Sequence, residues 1–317
     1  MQSITLKTAN IMRLSNGILS IEVARHGAEL VSLKAGEREL LWSGDAAFWN
    51  RHAPILFPAV GKPYESTVRI DGKVYTIKQH GFARDCEFEE KKNSGNGSFL
   101  AKLRRSAEPC PGLQVTGYGS KVGEQEYPYQ YDLEAEYKLE GNTLIVTWTV
   151  TNRDTKTMSF QIGAHPGFML PDYDVADEVH GYLRYYDKAG RPVSPTIVSM
   201  LDGGNRVPLD TPRIIPAEME IRDETFAGDE LMFEEGQVMT AELLDKQRQP
   251  VLKVRCDQAE AFGIWAPKKE HCPFVCLEPW CGICDPKGFT GDISERPYAH
   301  HLAPGEQFAF RYEVEVL

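Results

Sequence analysis

The sequence predicts an all-β protein, a large antiparallel β-sandwich, and three observations carry that prediction. Apolar residues recur at every second position from one end of the chain to the other. Convincing helical spacing over twelve or more residues is missing. The 27 glycines and 20 prolines among 317 residues suit many turns without reaching a low-complexity composition. Together these favour many short antiparallel strands over alternating βα units.

Taken in order, Leu19, Ile21 and Val23 open the alternation. Val68-Arg69-Ile70 and Val74-Tyr75-Thr76 flank Asp71-Gly72, a two-residue hairpin signal, because both turn positions call for a left-handed backbone. From Tyr131 to Leu139 the odd positions are apolar and the even ones charged. Leu144, Val146, Trp148 and Val150 alternate with Ile145, Thr147, Thr149 and Thr151, and a further strand is predicted over 158 to 164. Trp148, inside such a strand, reads as core. The segment 225 to 235 fits a short helical turn, and Phe274-Val275-Cys276-Leu277 reads as a buried strand. Phe308, Phe310, Tyr312, Val314 and Val316 close the pattern. It crosses the midpoint without a linker or repeat, which predicts one domain over residues 1–317.

Composition narrows the function classes. Lys and Arg total 35 against 46 Asp and Glu, a net charge of −11. A protein gripping nucleic-acid phosphates or anionic lipid presents the opposite sign. No run of about 18 apolar residues offers a membrane span, and the N-terminal residues lack the apolar stretch of a signal peptide. Seven cysteines at irregular spacing fit reduced thiols. The expectation is a cytoplasmic protein acting on a small molecule, without nucleic-acid or membrane partners.

Chemistry concentrates where the alternation breaks: 49–58, 79–85, 163–168, 226–230 and 276–282. Glu278 follows an apolar strand directly, with Pro279 and Trp280 behind it. A carboxylate placed there loses hydration, which raises its pKa and makes it a useful base near neutrality. The competing reading is a strand-end Glu in water or an ion pair. His165 and His80 occupy similar strand ends, where a histidine serves as proton donor or as a hydrogen-bonded structural residue. His271, Cys272, Cys276, Cys281 and Cys284 have spacings that zinc accepts, but alternation sends such ligands to opposite faces, so no metal is expected. No Gly-x-Ser-x-Gly elbow and no Gly-rich phosphate loop occur.

Four segments in order carry a family resemblance: Ala53-Pro54-Ile55-Leu56-Phe57-Pro58 followed by Gly61, His80-Gly81-Phe82-Ala83-Arg84, His165-Pro166-Gly167-Phe168, and Glu278-Pro279-Trp280. Over about Leu14 to Val316 the chain resembles the aldose 1-epimerase (galactose mutarotase-like) family, in its bacterial epimerase-like branch. The resemblance implies a β-supersandwich, no cofactor, and interconversion of α and β anomers of an aldose. It implies Glu278 as catalytic base, His165 as catalytic acid, His80 as a sugar-binding histidine and Asp229 as the acidic residue that grips sugar hydroxyls. Gly61-Lys62 falls where galactose-type enzymes carry Asn-Arg, so Lys62 keeps the charge there and loses the planar fork. Ionised Glu278 and protonated His165 then give a bell-shaped pH profile, with Glu278 on the acid limb.

Two alternatives stay open. A hexose-6-phosphate 1-epimerase needs a cationic subsite, for which Arg51, His52, Lys62 and Arg84 are available. A non-catalytic carbohydrate-binding protein on the same fold needs no acid–base pair. The sugar, and the choice between monomer and homodimer, are not written in the sequence.

Overall fold

The computed structural model describes residues 11–91, 98–105, 127–228 and 230–317. The protein is nearly all β, and its named strands pair antiparallel throughout. The largest sheet has nine strands, in the order Glu218–Ile221, Gly181–Tyr186, Thr240–Leu244, Pro250–Arg255, Gln307–Val316, Thr143–Asn152, Tyr131–Glu140, Ser98–Arg105 and Glu89–Lys91. A six-stranded sheet carries Leu231–Phe233, Ala261–Trp265, Phe274–Cys281, Ile162–Ala164 and Ile55–Leu56, with Gly167–Met169 also paired to Phe274–Cys281. A four-stranded sheet holds Ile11–Ser15, Leu19–Ala24, Leu30–Ala35 and Arg38–Glu39. Among the described residues no helix is long and apolar enough to cross a membrane.

The predicted alternation becomes the core. Tyr131, Leu133, Ala135, Tyr137 and Leu139 are buried, as are Leu144, Val146, Trp148 and Val150 on the next strand. Their register places Ala135 opposite Trp148 and Trp148 opposite Phe310, so one face of three strands interlocks. Trp148 stacks on Phe310 at 5.5 Å. Truncating a side chain of this kind to alanine costs about 3–5 kcal/mol. The two large sheets meet through rings, with Tyr185 against Phe233 at 5.0 Å and Phe57 against Tyr131 at 5.2 Å. Tyr137 also donates its hydroxyl to Ala28 O at 2.6 Å, tying the nine-stranded sheet to the four-stranded one.

Three expectations change in detail. Asp132, on the charged face of its strand, is fully buried and accepts from Arg153 Nε at 2.9 Å. The strand predicted over 158 to 164 splits at Gln161. Met158–Phe160 pairs with His300–Leu302, and Ile162–Ala164 crosses into the six-stranded sheet. The amide of Gln161 holds that crossing, accepting from Val60 N at 3.1 Å and donating to Ile283 O at 3.1 Å. The helical turn begins earlier than predicted, as a 3₁₀ turn over Asp223–Phe226. The Asp71-Gly72 hairpin forms as read, with φ of 51° and 76° at the two turn residues.

Candidate functional site

Glu278 lies within a strand, not at its end. Phe274–Cys281 is an eight-residue strand in the six-stranded sheet, and every residue of it is buried. Pro279 ends the strand in a sequence reading because proline cannot donate to a ladder. Here Leu277 N donates to Pro166 O, so the amides of alternate residues face the 162–169 segment. That segment is interrupted at His165, and the register of Ile162 with Cys281 and Gly163 with Trp280 sets Pro279 opposite Ala164, just before the interruption.

Period two then puts Cys276, Glu278 and Trp280 on one face. Their cross-strand partners are Trp265, Gly263 and Ala261. Glycines make the room this face needs. A Cβ on Gly163 would lie 2.7 Å from Trp280 Cδ1, and one on Gly263 would lie 2.6 Å from Trp280 Cζ2 and 2.5 Å from Glu230 Oε1. The Glu230 carboxylate therefore sits over Gly263, the register partner of Glu278.

His165 occupies the break between Ile162–Ala164 and Gly167–Met169, and brings Nε2 to 3.2 Å from Glu278 Oε2. Aromatic walls fix its ring: Trp49 stacks on it at 4.8 Å, and Trp265 meets it edge-on at 5.5 Å. His80 stands perpendicular to His165, with ring centroids 5.5 Å apart. The His80-Gly81 turn reaches this place only because Gly81 lacks a side chain, since a Cβ there would lie 2.1 Å from Phe57 O. His80 N donates to Gly61 O at 2.8 Å, and Gly61 N donates to His80 Nδ1 at 3.2 Å. An Nδ1 that accepts cannot carry the proton, so neutral His80 has its N–H at Nε2.

Burial dominates the electrostatics. Glu278 is wholly removed from solvent, which pushes its carboxyl well above the usual range, and the charge of Glu230 adds to the rise. Burial lowers His165 to about 3, and the Arg84 guanidinium adds to that. Burial, Arg84, His165 and Arg51 together hold His80 well below its ordinary value. Arg84 itself falls to about 10 through burial and the neighbouring Arg51. Near neutrality both histidines are therefore neutral, while burial pushes the Glu278 carboxyl toward its protonated form, the direction its place beside an apolar strand predicts.

The loop bearing Trp49 is anchored by Glu29, a buried carboxylate that accepts from His52 N at 2.6 Å and Ala53 N at 3.1 Å. Arg51 pairs with Asp85, and Arg84 Nη2 donates to Gln79 O at 2.7 Å. His80, His165, Glu278 and Arg84 thus share one neighbourhood. Lys62 turns elsewhere, giving its ammonium to Gly203 O at 2.8 Å in the turn after Thr196–Asp202. Asp229 lies outside the described residues. Of the thiols weighed for zinc, Cys276 joins His165 and Glu278 with donor atoms within 4.8 Å, whereas Cys281 groups with Glu260 and His300. Cys284 packs beside Leu56 and Val60. His271 reaches Asp223 at 3.3 Å and belongs to neither group.

Sequence reasoning passed over Glu29, and it gave no role to Glu230, the last residue of a segment already singled out, or to Trp265 in particular. Trp265 shows only through its register opposite Cys276, which no local pattern reveals.

Comparison with known proteins bears out the family resemblance and the fold. The family model for aldose 1-epimerase matches residues 10–315. Protein LacX of Lactococcus lactis subsp. lactis is 25% identical over 96% of this chain and 99% of its own length. A galactose mutarotase-like protein from Lactobacillus casei superposes with a TM-score of 0.83 at 26% identity, covering 97% of this chain and 100% of that one. A galactose mutarotase related enzyme from Lactobacillus acidophilus gives 0.81 at 25% identity, with 97% of each chain covered. With the family model spanning almost every described residue and these folds matching end to end, the chain belongs to the aldose 1-epimerase family.

Proposed function

We propose that this protein is a mutarotase: it interconverts the α and β anomers of an aldose by opening and reclosing the ring, with Glu278 and His165 handling the protons. One observation supports the reading above the others. A fully buried carboxyl stands 3.2 Å from a buried imidazole, in a recess walled by Trp49 and Trp265. A protein that only held a sugar would gain nothing from this pair, whose burial costs stability in either charge state.

The pair holds one mobile proton. Its transfer from Glu278 to His165 Nε2 produces the ion pair without any proton from solvent. Sugar hydroxyls entering the recess supply the hydrogen bonds that ionised Glu278 lacks. Glu278 then takes the proton of the anomeric hydroxyl while His165 gives one to the ring oxygen, and the ring opens to the aldehyde. Rotation about C1–C2 and the reverse transfers give the other anomer. Each such transfer contributes about 10² to 10⁴ in rate. Neutral His80, with its N–H at Nε2, donates to the sugar, and Asp229 keeps the hydroxyl-gripping role that the family resemblance gives it. No cofactor enters the scheme.

A second reading, a hexose 6-phosphate as substrate, draws support from Arg84 and Arg51, whose charges both act on the two histidines. Polarimetry of freshly dissolved α-glucose, α-galactose and α-glucose 6-phosphate separates the two. Faster decay of rotation with a free sugar supports the first reading, and with the phosphate alone the second. No acceleration over buffer with any aldose overturns both.

A further inference from the structure

On the side of the six-stranded sheet away from Glu278, three donor atoms of different chemistry meet. They are a carboxylate oxygen of Glu260, the thiol sulfur of Cys281 and a ring nitrogen of His300, all within 4.8 Å of one another. We propose that Glu260, Cys281 and His300 form a binding site for a zinc-like divalent cation, separate from the Glu278–His165 recess.

The backbone holds the three in place before any ion arrives. Glu260 N donates to Trp280 O at 2.8 Å, which makes Glu260 the cross-strand neighbour of Cys281. On the other flank Ile162 pairs with Cys281, and two residues back Phe160 pairs with His300. The His300 ring lies against Phe308 at 4.2 Å and Phe160 at 5.8 Å, so its direction is set by packing.

The alternative is an ordinary His300–Glu260 ion pair. His300 Nε2 and Glu260 Oε2 are 3.3 Å apart, yet both atoms are shut from solvent and neither makes a hydrogen bond. The separation matches an edge of about 3.4 Å in a tetrahedron built on metal–ligand bonds of about 2.0–2.1 Å. Thiolate, imidazole and carboxylate are a donor set that zinc accepts, and three protein ligands leave a fourth position for water. The Glu260 side chain is 37% exposed, which gives the ion a path in. Cys281 now donates its thiol hydrogen to Gln258 O at 3.1 Å. On binding, that proton leaves to solvent as the sulfur–metal bond forms, and nothing is oxidised or reduced.

Cobalt(II) titrated into chelator-treated, reduced protein tests this without reference to activity. The expected result is one cobalt per chain with a thiolate-to-cobalt absorption band, which Cys281→Ser abolishes and Cys276→Ser retains. His300→Gln, at a partly exposed side chain, should keep the fold and weaken binding by about tenfold or more. No thiolate band at equimolar cobalt overturns the proposal. So does a band that survives Cys281→Ser or is lost in Cys276→Ser, which would place the ion beside His165. A His300→Gln protein that binds as tightly as wild type overturns it as well.

Discussion

Replacing His165 by glutamine should flatten the acid side of the protein's stability curve. In the folded chain burial holds the His165 pKa down to about 3, whereas the unfolded chain titrates near 6.5. The unfolded state therefore takes up a proton below pH 6.5 that the folded state refuses. Stability from this residue is complete above pH 6.5 and drains as pH falls toward 3. Each pH unit inside that window is worth about 1.4 kcal/mol, so between pH 7 and pH 5 His165 accounts for a loss of about 2 kcal/mol. Glu278 acts in the opposite sense, because its raised pKa makes stability fall as pH rises above about 4.5. His80 acts in the same sense as His165. Both groups remain in the variant, and although His80 loses the His165 part of its shift, burial and Arg84 still hold it down, so their contributions largely cancel in the comparison. Urea unfolding of the two proteins at pH 7 and pH 5 gives the number. His165→Gln should lose about 2 kcal/mol less than wild type over that interval. Equal losses would mean that His165 is charged in the folded protein, and the resting ionisation described above would be wrong.

Gly263→Ala forces a methyl group between Glu230 and Trp280, with contacts of 2.5 and 2.6 Å, and should cost about 1–3 kcal/mol, read as a lowered melting temperature. Unchanged melting would show that the wall beside Glu278 yields easily. The two histidines should differ in kind: His165→Ala lowers kcat steeply with KM little changed, while His80→Ala raises KM with a smaller fall in kcat. Matching kinetics for the two would merge their roles. Arg84→Ala should raise KM, more so for a phosphorylated sugar if that is the substrate, and should let the His165 resonance titrate closer to 6.5 by NMR. Lys62→Ala should leave both KM and the His165 titration in place, because its ammonium is engaged with Gly203; a raised KM would bring Lys62 back into sugar binding.

Period two made three strands of the nine-stranded sheet legible. Tyr131–Glu140, Thr143–Asn152 and Gln307–Val316 are long, regular and packed on one face only, so burial writes itself into alternate residues. The six-stranded sheet hides the same information. All eight residues of Phe274–Cys281 are buried, so its sequence shows an apolar run with a carboxylate in it, and Pro279 argues for an end that does not come. The meeting of His165 with Glu278 depends on an interruption in the neighbouring strand, and the glycines around Trp280 matter only through cross-strand space. Neither leaves a local signature. The motif histidines and Glu278 were nameable from their settings and the family resemblance, and so was the upward push on Glu278, but the depression of both histidines was not. Burial of both partners sets it, and burial is a property of the assembled sheets.

Comparing wild type with Glu278→Gln by NMR magnetisation transfer between the α and β anomeric resonances of an aldose at equilibrium tests the central claim most directly. Wild type should raise the exchange rate above buffer. The glutamine, nearly isosteric and unable to accept the anomeric proton, should lower the protein-dependent part by about 10² or more while the melting temperature holds. An unaccelerated exchange with wild type, or a wild-type rate in Glu278→Gln, would contradict it.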